Sequence, residues 1–456
     1  MSTTRWRVVL VTRFDDFTEK PHHASTIPLR TVPIPEVFRM NSETEQAPLS
    51  VSTYAWTVVL LLFPVALLNY LDRQMLATMK TSMIADIPSI ANKEDWGLVL
   101  GSFKWVYAAL SPFGGYVADR FSRRHVICLS LMIWSAVTWG TAYVGTFEQL
   151  ILARALMGIS EAFYIPAALA LITDFHVGAT RSRAVSVHQA GIYCGLIVGG
   201  FAGYVAEAPS LGWRLAFSAC GVAGVLYAIP LMLLLKNPVR REGTDSMSPV
   251  TAVRSLLSNP NYLLLVVYFT LPAIAGWVVK DWMPAILKEK FSLGEGRAGA
   301  IATFVHPASI LGAVIGGYLA DRWMKNSSRG RIFVSALGMA MFLPALFSVG
   351  NAQTYGIAAA GLFLFGFGWG FFDCNNMPIL CQIVQPDLRA TGYGIMNLVS
   401  ISCGGVADWG FGVLQDRKVP LNIIFGAFAA LAAISIVVVL LIRPARTSVE
   451  SSGDVS

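Results

Sequence analysis

Apolar segments of about twenty residues, separated by short polar ones, run along the chain from residue 54 to residue 443. Examples are AWTVVLLLFPVALLNYL, which begins at Ala55, and GAFAALAAISIVVVLLI, which begins at Gly426. Each is close to the roughly 20 residues that a helix needs to cross a bilayer. The pattern predicts twelve membrane helices, near residues 54–80, 97–118, 124–145, 147–172, 184–206, 213–235, 261–287, 298–320, 331–350, 354–383, 391–413 and 420–443.

Composition supports lipid as the solvent for most of the 456 residues. The chain is 55% hydrophobic and only 13% charged, whereas about 25% charged residues is usual for a soluble domain. Its 40 glycines and 22 prolines are typical of packed membrane helices. We therefore expect an all-α membrane protein rather than a barrel, whose strands would be short and alternating.

Polar segments flank and divide the helical region. The first segment has no apolar span and no cleavable signal pattern, so it is interpreted as a disordered cytoplasmic tail, with translation hypothesised to begin at Met40. The predicted organisation is a tail over 1–53, a six-helix bundle over 54–235, a cytoplasmic linker over 236–258, a second bundle over 259–443 and a tail over 444–456.

Basic residues are unevenly shared between the loops. The loops after spans 2, 4, 6, 8 and 10 and the C-terminal tail hold roughly sixteen Lys and Arg, and the other loops hold roughly seven. The net charge of +7 therefore indicates membrane orientation rather than nucleic-acid binding. This distribution of basic residues predicts that both termini lie in the cytoplasm. We expect a multi-pass protein of the plasma membrane, namely the bacterial inner membrane.

One segment occurs twice at matching places. GGYVADRFSRR, Gly114–Arg124, follows the second span, and GGYLADRW, Gly316–Trp323, follows the eighth. Six spans is an even number, so two such halves start on the same side and are parallel copies, an arrangement typical of one large transporter architecture.

The residue types in this repeat suit a gate. Glycine lets a neighbouring helix approach closely, an aspartate is favoured beside a facing helix N-terminus, and arginines can pair with it. The alternative is that the charges only set membrane orientation. The predicted gate residues are Gly115, Asp119, Arg120, Arg124, Asp321 and Arg322.

The pattern G-x-x-x-D-R-x-x-R-R between spans 2 and 3, with a degenerate copy between spans 8 and 9, resembles the signature loop of the major facilitator superfamily. The resemblance covers residues 54–443. It implies two six-helix bundles around a central cavity that opens alternately to each side, here expected as a monomer.

The first and fourth predicted spans carry charged residues in their interior: Asp72 and Arg73 in the first, and Arg154 and Glu161 in the fourth. A charge near the bilayer centre costs about 2.5–3.5 kcal/mol on insertion scales, so each is a candidate functional residue. Arg154 and Glu161 are two turns apart on one helix face.

The strings N-Y-x-D-R and R-x-x-x-G-x-x-E-A in these spans resemble the anion:cation symporter branch of the superfamily, whose members carry sugar acids, phosphate esters or dicarboxylates. The resemblance implies that Asp72 and Glu161 exchange a proton while Arg73 and Arg154 bind the anion. The alternative is a structural ion pair between Arg154 and either Glu161 or Asp72. Phe163, Ala168 and the SVHQAG string depart from the branch pattern, so the substrate is left open.

Other polar residues in the spans are candidates for substrate binding. Lys280 lies between Trp277 and Trp282, and it either contacts an anionic ligand or pairs with Asp281. Amides offer donors and acceptors to sugar hydroxyls. The remaining predicted substrate-binding residues are Tyr70, Tyr164, Gln189, Asn375 and Asn376; Asp373, His306, Asn397 and Asp408 are weaker candidates.

The sequence holds no ATP-binding loop of the G-x-x-x-x-G-K-[ST] type, no metal-ligand set, and no cofactor motif. We expect a secondary transporter rather than an enzyme, with a small anionic molecule, a proton and lipid as partners. The favoured function is proton-coupled symport of an organic anion such as a sugar acid. The alternatives are a Spinster-like carrier of a lysolipid or drug, and a non-transporting membrane receptor.

Overall fold

A computed structural model describes residues 53–176, 180–237, 249–385 and 388–444. The predicted start at Met40, the N-terminal tail up to residue 52, about half of the linker (238–248) and most of the C-terminal tail lie outside these ranges. The α helices within them are α1 Thr53–Thr78, α2 Lys80–Asp86, α3 Lys93–Arg120, α4 Arg123–Thr141, α5 Phe147–Glu161, α6 Tyr164–Phe175, α7 Arg181–Gly200, α8 Ala202–Glu207, α9 Gly212–Leu234, α10 Pro249–Leu257, α11 Pro260–Phe291, α12 Glu295–Ala302, α13 Val305–Met324, α14 Gly330–Asn351, α15 Tyr355–Ile383, α16 Arg389–Asp416 and α17 Leu421–Leu441.

Nine helical stretches in the described ranges are long and apolar enough to cross a membrane. Three further helices, α3, α4 and α16, have 28, 19 and 28 residues. At about 1.5 Å per residue, even the shortest is about 28 Å long, close to the thickness of the hydrocarbon core. These twelve stretches match the twelve predicted spans, and α10 adds a short helix within the predicted linker.

Three of the predicted spans are each broken into two helices. α5 ends at Glu161 and α6 begins at Tyr164, α7 and α8 are separated at Phe201, and α12 and α13 are separated at Thr303 and Phe304. Proline lacks a backbone N–H and is tolerated mainly in the first turn of a helix; Pro166 and Pro307 stand in the first turns of α6 and α13. The first break places the Glu161 carboxylate at a helix end in mid-membrane.

The two halves meet mainly along α3 with α16 and along α8 with α12. Glycines allow this approach: a Cβ on Gly412 would lie 2.3 Å from the carbonyl oxygen of Lys93, and one on Gly203 would lie 2.5 Å from the carbonyl carbon of Glu295. Both contacts lie at one end of the molecule. We call it the distal end, and we call the end that carries the loop between α3 and α4 the signature end.

At the distal end each half caps a helix of the other half. The Asp416 carboxylate accepts the backbone N–H groups of Lys93 and Glu94, with N–O distances of 3.1 and 2.8 Å. The Glu207 carboxylate accepts the backbone N–H groups of Glu295 and Gly296. Helix N-termini favour negative charge, so these two reciprocal caps stabilise the closed distal end.

The two caps share a sequence pattern that the sequence analysis missed. GYVAE, residues 203–207, and GVLQD, residues 412–416, place a glycine four residues before the capping acid. The signature segments GYVAD, 115–119, and GYLAD, 317–321, have the same spacing. The chain therefore carries the glycine–acid pattern at the C-terminal ends of four helical spans, two at each end of the molecule.

The signature end is held within each half separately. Arg123 pairs with Asp174, an Arg124 nitrogen donates to the carbonyl of Met232, and Arg331 lies 3.7 Å from Asp321. The side chains of Arg120, Asp321 and Arg322 are exposed, and the surroundings of Gly115 and Asp119 lie outside what the structure describes. The gate that we predict from these residues would form in a conformation that is closed at the signature end, and it stays a prediction.

Candidate functional site

Arg73 and Glu161 form a buried ion pair at the centre of the first half. The Arg73 Nε donates to Glu161 Oε2 at 2.6 Å, and a second guanidinium nitrogen also contacts that oxygen. Arg73 donates in addition to Asn69 Oδ1 at 3.3 Å. The carboxylate thus pairs with the arginine of α1, and not with the arginine of its own helix as one of the sequence alternatives supposed.

Aromatic rings surround the Arg73 guanidinium. Its central carbon lies 4.8 Å from the ring centre of Tyr70, 4.5 Å from that of Phe103 and 5.1 Å from that of Tyr107. Such rings attract a cation through their faces. They hold Arg73 in place and present an apolar aromatic wall beside it.

Arg154 has a different environment. Only 4% of its surface is exposed, its guanidinium lies 4.5 Å from the Phe103 ring centre, and one nitrogen contacts the Met157 sulfur at 3.7 Å. Its Nε has no hydrogen-bond partner. No carboxylate within salt-bridge distance of Arg154 is found in the described residues, so it is a buried cation that can bind an anion.

Asp72 lies beside this cluster and is 1% exposed. Thr138 donates to its Oδ2 at 3.1 Å, while Asp72 Oδ1 and Glu161 Oε1 have no hydrogen-bond partner. The two carboxylates interact electrostatically. Each carboxylate thus keeps one buried oxygen without a hydrogen-bond partner, and the exchange of a proton between them stays a prediction.

Lys280 faces the same region from the second half. Its Nζ lies 5.9 Å from the Tyr70 ring centre and 5.0 Å from that of Trp277, and it interacts electrostatically with Asp373. The side chain of Asp373 is exposed in mid-span of α15. Lys280 therefore adds positive charge opposite the Arg154 cluster.

Asp281 does not pair with Lys280, because it binds a lysine that the sequence analysis missed. Lys104 of α3 contacts the carboxylates of Asp281 in α11 and Asp408 in α16. The Lys104 Nζ also lies 4.4 Å from the Trp277 ring centre. Lys104 stands eight residues inside the predicted span 97–118, and that depth was the signal that could have identified it.

The two groups of charges border a common recess. A cavity of about 30 Å³ lies between the halves, a space for a small polar group rather than for a whole substrate. It is lined by Tyr70, Arg73, Gln74, Leu100, Phe103, Lys104, Arg154, Leu196, Trp277, Lys280 and Asp281. Of the predicted substrate-binding residues, the structure thus brings together Arg73, Arg154, Tyr70 and Lys280.

The other predicted substrate-binding residues lie elsewhere. Tyr164 is fully buried, and its hydroxyl lies 2.9 Å from His188 Nε2. The Asn375 amide donates to the carbonyl of Phe371 in its own helix at 2.9 Å. Asn376 is 2% exposed, and Gln189 is exposed but does not line the recess.

The sequence pattern of the Major Facilitator Superfamily matches residues 62–407, about three quarters of the chain. The chain belongs to the Major Facilitator Superfamily. It is a multi-pass membrane transporter and not an enzyme, and the superfamily resemblance drawn from its signature loops is confirmed.

Curated relatives point to a particular type within the superfamily. The chain is 28% identical over 389 residues to the mouse protein spinster homolog 1, covering 79% of this chain and 73% of that one. It is 26% identical to Drosophila melanogaster protein spinster, over 78% and 61% of the two chains. It is 25% identical to a sphingosine-1-phosphate transporter of Xenopus tropicalis, over 73% and 68%.

Solved structures show the same fold. A bacterial homologue of the human lysosomal transporter Spinster, inward-facing and unoccupied, has a TM-score of 0.70 at 19% identity, over 86% of this chain and 95% of that one. Its occupied inward-facing form has a TM-score of 0.68. The similarity is thus to Spinster-type carriers, and the resemblance to the anion:cation symporter branch is not supported by these relatives.

Proposed function

We propose that this protein transports a single-chain amphiphile with an anionic head group, such as a lysophospholipid or a sphingoid phosphate, together with a proton. Transport proceeds by alternating access between the two six-helix halves. The observation that carries the proposal is the buried Arg154, which has no carboxylate partner among the described residues and lines an aromatic recess between the halves.

The head group binds between cations of both halves. Arg154 contributes a guanidinium, whose planar donors match a carboxylate or phosphate, and Lys280 contributes an ammonium from the opposite side. An anion that reaches both side chains links the halves electrostatically. This linkage gives the bound anion different contacts in each conformation, which alternating access requires.

The surroundings favour an amphiphile over a sugar acid. Phe103, Tyr107 and Trp277 provide aromatic surface next to the cations. The two asparagines that were expected to bind sugar hydroxyls are buried, and Asn375 is occupied by its own helix. The similarity to spinster proteins and to a sphingosine-1-phosphate transporter supports the same choice.

Asp72 and Glu161 carry the proton in this proposal. Arg73 stabilises the Glu161 carboxylate by a charge-assisted bond, while burial disfavours a charged carboxylate. A bound anion offsets part of the positive charge near Asp72 and Glu161, so protonation of a carboxylate becomes more favourable. Binding of the anion is thereby coupled to uptake of a proton.

Uptake into proteoliposomes tests the proposal. Under an inward proton gradient, we expect accumulation of a radiolabelled single-chain anionic lipid and little accumulation of hexuronates. Because an ammonium cannot replace a bidentate guanidinium, Arg154→Lys should raise the apparent substrate constant about 10-fold, equivalent to about 1.4 kcal/mol.

Arg297→Lys is the matched control, since Arg297 is an exposed arginine on the face of Tyr355 at the distal end. It should leave the constant unchanged. Preferential uptake of a hexuronate would contradict the amphiphile proposal and favour a sugar acid as the substrate. An unchanged apparent substrate constant in Arg154→Lys would exclude Arg154 from the binding site.

A further inference from the structure

We propose that Lys104, Asp281 and Asp408 form a second proton-binding site, and that proton uptake there stabilises the closed distal end. The site shares no residue with the Asp72 and Glu161 pair. The inference rests on alternating access in the proposed function and does not depend on the substrate.

Geometry places the site across the interface of the halves. Lys104 belongs to α3 of the first half, whereas Asp281 and Asp408 belong to α11 and α16 of the second. The exposed fractions of the three side chains are 5%, 13% and 0%. All three charges are thus removed from bulk water only while the halves are together.

The buried cluster of Lys104, Asp281 and Asp408 needs one more proton to be electrically neutral. Two carboxylates and one ammonium give a net charge of −1, and an uncompensated buried charge is costly. Both Lys104 contacts are made to the Oδ2 atoms. Asp408 Oδ1 has no hydrogen-bond partner, so it is the oxygen on which a proton makes the cluster neutral.

Neighbouring charges do not replace that proton. Lys280 of α11 and Arg154 of α5 both interact electrostatically with Asp281. Among the described residues, however, neither cation lies within salt-bridge distance of Asp281 or Asp408, which both contact Lys104 directly. Trp277, whose ring lies against Lys104, is uncharged.

Opening of the distal end separates the cluster. Lys104 leaves with the first half, and the two carboxylates become hydrated on the second half, where they release the proton. The closed state therefore binds one more proton than the open state. By linkage, acid shifts the equilibrium toward the closed distal end and alkali shifts it toward the open one.

Distance measurements between spin labels test this without substrate. Labels at Ser210 and Gln353, two exposed loop positions of opposite halves at the distal end, are placed in a chain whose native cysteines are replaced. In acid buffer the population with short distances should grow, and in alkaline buffer it should shrink. Asp408→Asn keeps the cluster neutral, so it should give the short distances at both pH values.

Glu148→Gln is the control, because Glu148 is an exposed carboxylate at the distal end and belongs to neither proton site; it should keep the pH-dependent shift. Asp281→Asn also makes the cluster neutral, and it replaces Asp408→Asn in the distance measurement if that variant does not fold. A parent protein with no pH-dependent shift, or a shift that survives in the neutral variants, overturns the proposal. Because the readout needs no substrate, a failed substrate assignment leaves this test intact.

Discussion

Single buried charges have different roles according to whether they have partners. Arg73 is fixed by Glu161 and three aromatic rings, whereas Arg154 lies against Phe103 and Met157. The first is an organised ion pair and the second is a cation available to a ligand. This difference is the reason that we assign proton exchange to the pair and anion binding to Arg154.

Glu161→Gln tests the first assignment. Glutamine cannot carry the exchanged proton, so we expect proton-driven accumulation to fall at least about 10-fold, while exchange of substrate across the membrane without a gradient persists, because it needs no net proton movement. Both activities are measured in the same proteoliposomes. Equal loss of accumulation and exchange would contradict a role in coupling.

Sequence identified the charged positions of this site but not their partners. Asp72, Arg73, Arg154 and Glu161 stand out because charges inside apolar spans are rare. Which arginine meets Glu161 depends on how α1 and α5 rotate and pack, and spacing within one helix does not contain that information. The depth of Lys104 in its span could have identified the lysine itself, but not its partners, because Asp281 and Asp408 lie 177 and 304 residues further along the chain.

At the scale of helices, close packing of backbones closes the distal end. The glycine–acid pattern serves two functions there, since the glycine lets the helices approach and the acid caps the opposing N-terminus. Hydrophobic runs predicted the spans themselves. The breaks at Glu161, Phe201 and Thr303 were not predicted, because apolar residues continue across each of them; Pro166 and Pro307 are the sequence signals that follow two of the breaks.

Gly412→Ala tests this packing. The added Cβ would lie 2.3 Å from the Lys93 carbonyl oxygen, so α3 and α16 must separate, at a cost of about 1–3 kcal/mol. The short distances between labels at Ser210 and Gln353 should become less populated.

Gly410→Ala is the matched control on the same helix, since a Cβ there meets nothing within 4 Å. It carries the same change in helix propensity and should leave the distances unchanged. Similar effects of the two substitutions would argue against steric closure at Gly412.

For the whole molecule, the two halves form a carrier whose charges are shared across the interface. The central region holds four basic and five acidic side chains. The basic ones are Arg73, Arg154, Lys104 and Lys280, and the acidic ones are Asp72, Glu161, Asp281, Asp373 and Asp408. The described charges of this region sum to −1. An entering anion makes this net charge more negative, and the more negative charge favours proton uptake together with the substrate.

In the proposed mechanism the anion and the proton cross the membrane together, and proton flux is a direct measure of that coupling. Proteoliposomes that contain a pH-sensitive dye receive a single-chain anionic lipid outside, with no gradient imposed. We expect acidification of the interior with the parent protein and none with Glu161→Gln. Substrate entry without a change of internal pH in the parent protein would contradict it.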